Sequence, residues 1–442
     1  MAAQCYSNEE WDLTDTSDRV NEQVYAPEEL DRYHWFALLQ KRFTAYGLET
    51  IPGVQLNEKI DYFDHLDEII SERNLEHIKD YLLAHTASSA IDMLDKETYY
   101  KAIDIQNSIM GSTGYKEENV YAVNTVSSLL EWPLSRLYCD RYVTEEDKQN
   151  VYALIEQTLN GYKEMLQKED YLSEATKEKA IEKLNKMRIN CMYPDDWSDY
   201  SYEGLELPDC YFDAVVEISQ YEMEKGLSAF YDPVDKSKWT VCTPITQNAF
   251  YEPSSNSINI LPGLIGDVLY NSDMSKEEVY GQLGIIIGHE ISHAFDPSGA
   301  TYDSDGNYNS WWTEEDKAKF KEKTDKMVAY YDAITVWGGL SCSGERCKGE
   351  ACADMGGMAV MLHLAKEDPD FDYAVFFNAY AGEWASNMTP EYAYYSASYD
   401  VHPLDYLRVN VTVAQFEEFY EAFGIQEGDG MYIAPEDRVK IW

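Results

Sequence analysis

Gly288-His289-Glu290-Ile291-Ser292-His293-Ala294-Phe295-Asp296 is the stretch from which the rest of the chain is read. On an α-helix, positions four apart share a face, so His289 and His293 can reach one ion. Glu290 projects beside them, where it can take a proton from a water. Zinc suits such a site, because it accepts two His and a carboxylate and leaves a position open for water. Gly284, Ile285, Ile286 and Ile287 come just before, and Ser275 with Glu278 forms a capping box that opens the helix. A polar pair in so apolar a helix needs something to offset its burial.

Two histidines leave such an ion short of a ligand. The segment Gly349-Glu350-Ala351-Cys352-Ala353-Asp354-Met355-Gly356-Gly357 offers two more carboxylates at helical spacing, Glu350 and Asp354. The economical arrangement puts Glu350 on the metal and lets Asp354 hold a histidine ring. The plainer alternative is a buried acid bonded to backbone. Residues 349–364 read as a buried helix.

Outward from these two segments the texture is mixed. Thr144 caps a helix through Val151, Leu154, Ile155 and Leu159, apolar at helical spacing. Ser173 opens another, with Ala180, Ile181 and Leu184 on one face. Pro194, Asp195, Asp196, Trp197, Pro208, Asp209 and Pro233 mark loops between short elements over 190–238. Strands are expected at 248–251 and 257–261 around a turn at 253–256, and Thr313 caps a polar helix after Trp311 and Trp312. These features predict a mainly α chain of two domains, a helical one over 1–235 and an α+β one over 236–442.

The chain has 442 residues, with 35 Lys+Arg against 81 Asp+Glu and a formal net charge of −46. A balance so acidic argues against nucleic acid and anionic lipid, and makes neutral or cationic peptides the natural partners. No apolar run approaches the ~20 residues of a bilayer span, and residues 1–10 lack the order of a signal peptide. Of the eight cysteines, Cys342, Cys347 and Cys352 cluster, but at no zinc-ribbon spacing; a disulfide and buried free thiols are both open. Asp303-Ser304-Asp305-Gly306-Asn307 lacks the bidentate Glu of a calcium loop and reads as a turn.

Further motifs follow the same order as in a known family. They are Asn248-Ala249-Phe250-Tyr251, the His289 and Glu350 segments, His402-Pro403 with Arg408, and the ending Arg438-Val439-Lys440-Ile441-Trp442. On these residues the chain resembles the neprilysin (M13) family of zinc metallopeptidases, bacterial oligopeptidases of that type included, with weaker likeness back to about Trp35. The resemblance implies a thermolysin-like zincin domain with a helical cap domain and one zinc ion per chain. It implies that His289, His293 and Glu350 bind zinc, that Glu290 is the general base, and that Asp296 and Asp354 hold the ligand histidines, Asp354 also being counted in the family as a proton donor. Asn248 and Ala249 would bind the peptide backbone, His402 the oxyanion and Arg408 a substrate carbonyl. Ile286 and Trp384 would line a pocket for an apolar side chain after the scissile bond.

The expected function is therefore zinc-dependent endopeptidase action on short peptides, on the amino side of apolar residues. The family favours an extracytoplasmic setting. Ala385 stands where the family carries a Cys, so its animal disulfide pattern does not carry over. Relative to the family, a large N-terminal part is expected to be lacking, which brings a second polypeptide into view as partner. The rival reading is a non-catalytic, zinc-containing binding or assembly subunit.

Overall fold

The computed structural model describes residues 24–442, apart from 49–50, 52–53, 56–59 and 337–338. Cys5 and the rest of residues 1–10, read above as lacking the order of a signal peptide, lie outside the described residues. Packing divides the chain into two compact units. One holds the residues up to Ile109, Thr113–Tyr115 and Glu203–Val234; the other holds Met110–Ser112, Lys116–Tyr202 and Asp235–Trp442. This differs from a single boundary at 235: the chain does change units there, but Lys116–Tyr202 packs with the C-terminal half. The reason is visible in the elements that this stretch contributes.

In the larger unit, α1 (Glu145–Lys168) begins at the Thr144 capping box, with the Asp147 N–H on the threonine hydroxyl. Its Val151, Ile155 and Tyr162 are buried in the same core as the helices of the C-terminal half. Helix α2 (Glu174–Lys186) follows its Ser173 cap, and β1 (Arg188–Cys191) leads out of it. Strand β1 pairs in parallel with β3 (Ser257–Ile260), which pairs antiparallel with β2 (Ala249–Glu252). The sheet order is therefore β1-β3-β2, with β2 on an edge. Asn256 closes the β2–β3 turn at φ 46°, a left-handed conformation that Asn tolerates.

The capping box at Ser275 forms as expected, with the Glu278 N–H 3.2 Å from the Ser275 hydroxyl and the Ser275 N–H 2.8 Å from the Glu278 carboxylate. The helix runs through a π turn at Tyr280–Gly284 and continues as α3 (Ile285–Ser292). Helix α4 (Glu314–Asp332) follows its Thr313 cap, and α5 (Gly344–Ala365) follows its Ser343 cap and begins five residues before the expected 349. Helices α6 (Tyr373–Glu383) and α7 (Asp405–Val413) complete the surround. The chain end is part of this core: the Trp442 ring lies 6.0 Å from that of Phe295 and 5.7 Å from that of Phe320.

The smaller unit is helical, with His34–Ala45, Leu75–Ser89, Lys96–Met110 (all but its last residue) and Tyr211–Ser228 as its longer helices. The last of these lies in the region expected to be loops. Its buried cluster is small, centred on Leu30, Tyr33 and Phe36. Asp303 closes the 303–307 turn by accepting the N–H groups of Asp305 and Asn307. The seven described cysteines are free thiols. Among the described residues no helix is long and apolar enough to cross a membrane.

Candidate metal centre

Helices α3 and α5 approach so closely because glycines face each other at their crossing. A Cβ on Gly288 would stand 2.8 Å from the Gly357 Cα, nearer than a side-chain carbon can pack. This brings the His289 face of one helix against the Glu350–Asp354 face of the other. Tyr162 on α1 fixes the crossing from behind by donating to the Gly288 carbonyl at 2.8 Å.

His289 on α3 and His293 at its C-cap are each held by the inner nitrogen. His289 Nδ1 lies 2.8 Å from Asp354 Oδ1, and His293 Nδ1 lies 2.6 Å from Asp296 Oδ2. Asp354 and Asp296 are both buried. A neutral imidazole donates from one nitrogen and accepts at the other. With both Nδ1–H groups directed at carboxylates, both Nε2 atoms carry lone pairs, and they stand 3.1 Å apart. Glu350 Oε2 lies 3.2 Å from His289 Nε2 and 3.6 Å from His293 Nε2. That oxygen is buried and makes no hydrogen bond of acceptable geometry. With both rings neutral, three electron-pair donors therefore converge, which is the donor set a zinc ion takes. Glu290 offers a carboxylate oxygen to the same group, within 4.8 Å of the histidine ligand atoms.

The electrostatics agree with the geometry. Burial works against protonating His289 and His293, but carboxylates outweigh it and raise both, His293 the more strongly. Burial likewise works against the Glu350 carboxylate, yet the three facing histidines hold its pKa far below the usual range. The pocket favours positive charge at the point where the three donors meet.

Arg408 on α7 sits behind this first ring of contacts. Its Nε donates to Asp354 Oδ2 at 3.0 Å and its Nη2 to Asp354 Oδ1 at 2.6 Å, a two-point clamp. The guanidinium also lies 3.8 Å from the centre of the Trp384 ring. Arg408, expected at a substrate carbonyl, thus commits two donors to the carboxylate that holds His289. His402 enters from the loop before α7. Its Nε2 is 3.2 Å from Glu350 Oε2, and its Nδ1 is 2.9 Å from Asp400 Oδ1. Glu350, and then Asp400, raise its pKa to about 9 against the opposing effect of burial.

The structure thus brings together His289, Glu290, His293, Asp296, Glu350, Asp354, His402, Arg408 and Trp384. Ala249 opens the edge strand β2, with Asn248 exposed just before it, and Ile286 lies on α3 one turn before Glu290. Two neighbours were not read from the sequence. Asp400 gave no signal beyond lying two residues before His402. Lys183 did carry one: it shares a helical face with Ala180, Leu184 and Met187, and a lysine on an apolar face needs partners. Its side chain is fully buried, with Nζ bonded to the carbonyls of Ala294, Gly299 and Tyr302.

Known proteins share this arrangement of the chain. Family models for peptidase family M13 match residues 248–439 and residues 2–194. A neutral endopeptidase of Lactobacillus helveticus is 30% identical over 410 residues, covering 91% of this chain and 63% of that protein. Human neprilysin is 28% identical over 407 residues, covering 86% of this chain and 54% of that protein. The crystal structure of PepO from Lactobacillus rhamnosis HN001 superposes with a TM-score of 0.87 at 29% identity, covering 96% of this chain and 67% of that one. The chain spans 63% and 54% of the lengths of the two curated relatives. With both family models aligned to it in chain order, the chain belongs to peptidase family M13.

Proposed function

We propose that this chain is a zinc-dependent endopeptidase acting on short peptides, cutting on the amino side of apolar residues. One observation carries the reading: two tethered histidine Nε2 atoms and the unbonded, buried Glu350 Oε2 converge on one point. His289, His293 and Glu350 would hold the ion, one per chain. Zinc, when bound, supplies charge that polarises the scissile carbonyl and acidifies water.

The chain's own residues perform the rest. Glu290 takes the proton of the attacking water and delivers it to the leaving nitrogen. Asp354 and Asp296 keep the two histidines in the tautomer that presents Nε2. Arg408 holds Asp354 in place. His402 donates toward the carbonyl oxygen as negative charge develops there. The free edge of β2, beginning at Asn248 and Ala249, takes the peptide by main-chain hydrogen bonds, which leaves side-chain choice to pockets. Ile286 and Trp384 supply the apolar walls of one such pocket.

The test is a peptidase assay of the purified chain on short peptides with an apolar residue at the cut, before and after chelation and after zinc is restored. Turnover that is lost and regained with zinc is expected. Zinc bound by His289 and His293 with no turnover on any peptide would defeat the catalytic reading and favour a zinc-holding assembly subunit.

A further inference from the structure

Lys183 sits on α2, more than a hundred residues upstream of the metal helix, and its side chain ends under the loop that follows His293. Its ammonium donates to three backbone carbonyls, those of Ala294 at 2.9 Å, Gly299 at 2.7 Å and Tyr302 at 2.6 Å. Three acceptors around one nitrogen match the three N–H groups of an ammonium and leave none over. The aromatic rings of Tyr251 and Trp311 flank it at 5.6 and 5.8 Å. Burial pushes the Lys183 pKa down to about 7, while Asp296 and Asp303 act on it in the attractive sense.

The loop so gripped is the one that orients His293. Asp296 Oδ1 accepts the N–H groups of Ser298 at 2.8 Å and Gly299 at 2.6 Å, while its Oδ2 faces His293 Nδ1. Gly299 packs so tightly under the helix end that a Cβ there would lie 1.7 Å from the His293 carbonyl oxygen. Lys183 thus holds Gly299 by its carbonyl while Asp296 holds it by its N–H. The ammonium and the aspartate grip the same residue from opposite sides.

We infer that Lys183 is a positioning residue for the metal centre: by pinning the carbonyls of Ala294, Gly299 and Tyr302 it fixes Asp296, and through Asp296 the ring of His293. This rests on the reading of His293 as a metal ligand and goes beyond it by adding a remote residue on which zinc affinity depends. A compact ammonium suits three converging carbonyls, whereas Lys183→Met fills the same space with no donor and Lys183→Gln keeps only part of the bonding.

The full chain and both variants are titrated with zinc against a chelating dye, and each is loaded with cobalt to read its visible absorption. Far-UV circular dichroism selects the folded variants. Zinc dissociation constants at least about tenfold higher, with an altered cobalt band, are expected in the folded variants, as for loss of a group supporting a ligand. A lysine that only stabilises the fold would lower the melting temperature and leave zinc affinity and the cobalt band unchanged; a folded variant of that kind overturns the inference. If neither variant folds, hydrogen exchange on the metal-free parent decides: slow exchange at the Ser298 and Gly299 amides supports the pinned loop, and exchange at open-loop rates overturns it. His293→Ala, run in the same titration, separates the two levels. If it binds zinc like the parent, the ligand reading fails, whatever Lys183 does.

Discussion

His289 on α3, His293 at the C-cap of α3 and His402 on its loop all point Nε2 at the same carboxylate oxygen of Glu350, at 3.2, 3.6 and 3.2 Å. They are held in very different ways. The two helical rings are backed by buried carboxylates that are themselves fixed, Asp354 by Arg408 and Asp296 by two loop amides. The His402 side chain is 47% exposed and is backed by Asp400, itself 42% exposed. The difference teaches which histidines can be ligands. A ligand needs its ring fixed before the ion arrives, whereas a group that answers charge developing on a substrate must reach open space.

The sharpest way to separate the two regions is to remove the chemistry and keep the metal. Glu290→Gln preserves shape within the anchored group and removes the base proposed for it. Turnover should fall at least ~100-fold, the low end for general-base removal, with zinc content unchanged by metal analysis. Near-normal turnover in zinc-loaded protein would refute the role.

His402→Ala tests the open side. Loss of one donor to the oxyanion costs on the order of 100-fold in kcat, and because the ring stands outside the tethered pair, zinc should stay bound after dialysis. Loss of zinc on this substitution would place His402 among the ligands and erase the distinction drawn above.

Asp296→Asn turns to the anchors. The amide keeps an acceptor for Ser298 and Gly299 but no longer stabilises the His293 ring by charge. Zinc affinity should weaken by about 10- to 100-fold, measured by dye competition. An unchanged affinity would mean that the His293 tautomer is set by something other than Asp296.

Much of this site was legible because helical spacing is a hard geometric rule. His289 with His293 and Glu350 with Asp354 lie four apart, and each pair projects from one helix face as the sequence required. Their meeting was less legible, since it depends on two helices crossing at glycines that carry no chemistry of their own. The pairing of Arg408 with Asp354 joins residues 54 apart, and no local pattern encodes it. Lys183 was passed over because periodicity flagged the apolar neighbours on its face and not the cation among them. The two compact units depart from a single division at 235 for a related reason. Loop residues around 190–238 marked a change of texture, but β1 runs into its start and pairs with β3, which draws α1 and α2 into the larger unit.

Asp400→Asn is the mildest break and the most discriminating, because it repeats the Asp296 substitution on the loop side. Asp400 Oδ1 accepts both the His402 backbone N–H and its Nδ1–H, each at 2.9 Å. An asparagine oxygen can accept the same two bonds, so only the charge is lost. At a site this exposed, water screens that charge, and an ion pair between half-exposed groups is worth up to about 1 kcal/mol. Such an energy corresponds to at most about fivefold in kcat. Zinc affinity should remain within about twofold of the parent, because no ligand ring depends on Asp400. Measured side by side in both assays, Asp296→Asn should act mainly on zinc binding and Asp400→Asn only slightly on turnover. Equal losses of zinc affinity in the two variants would show that burial of the supporting carboxylate is not what distinguishes a ligand histidine from a substrate-facing one.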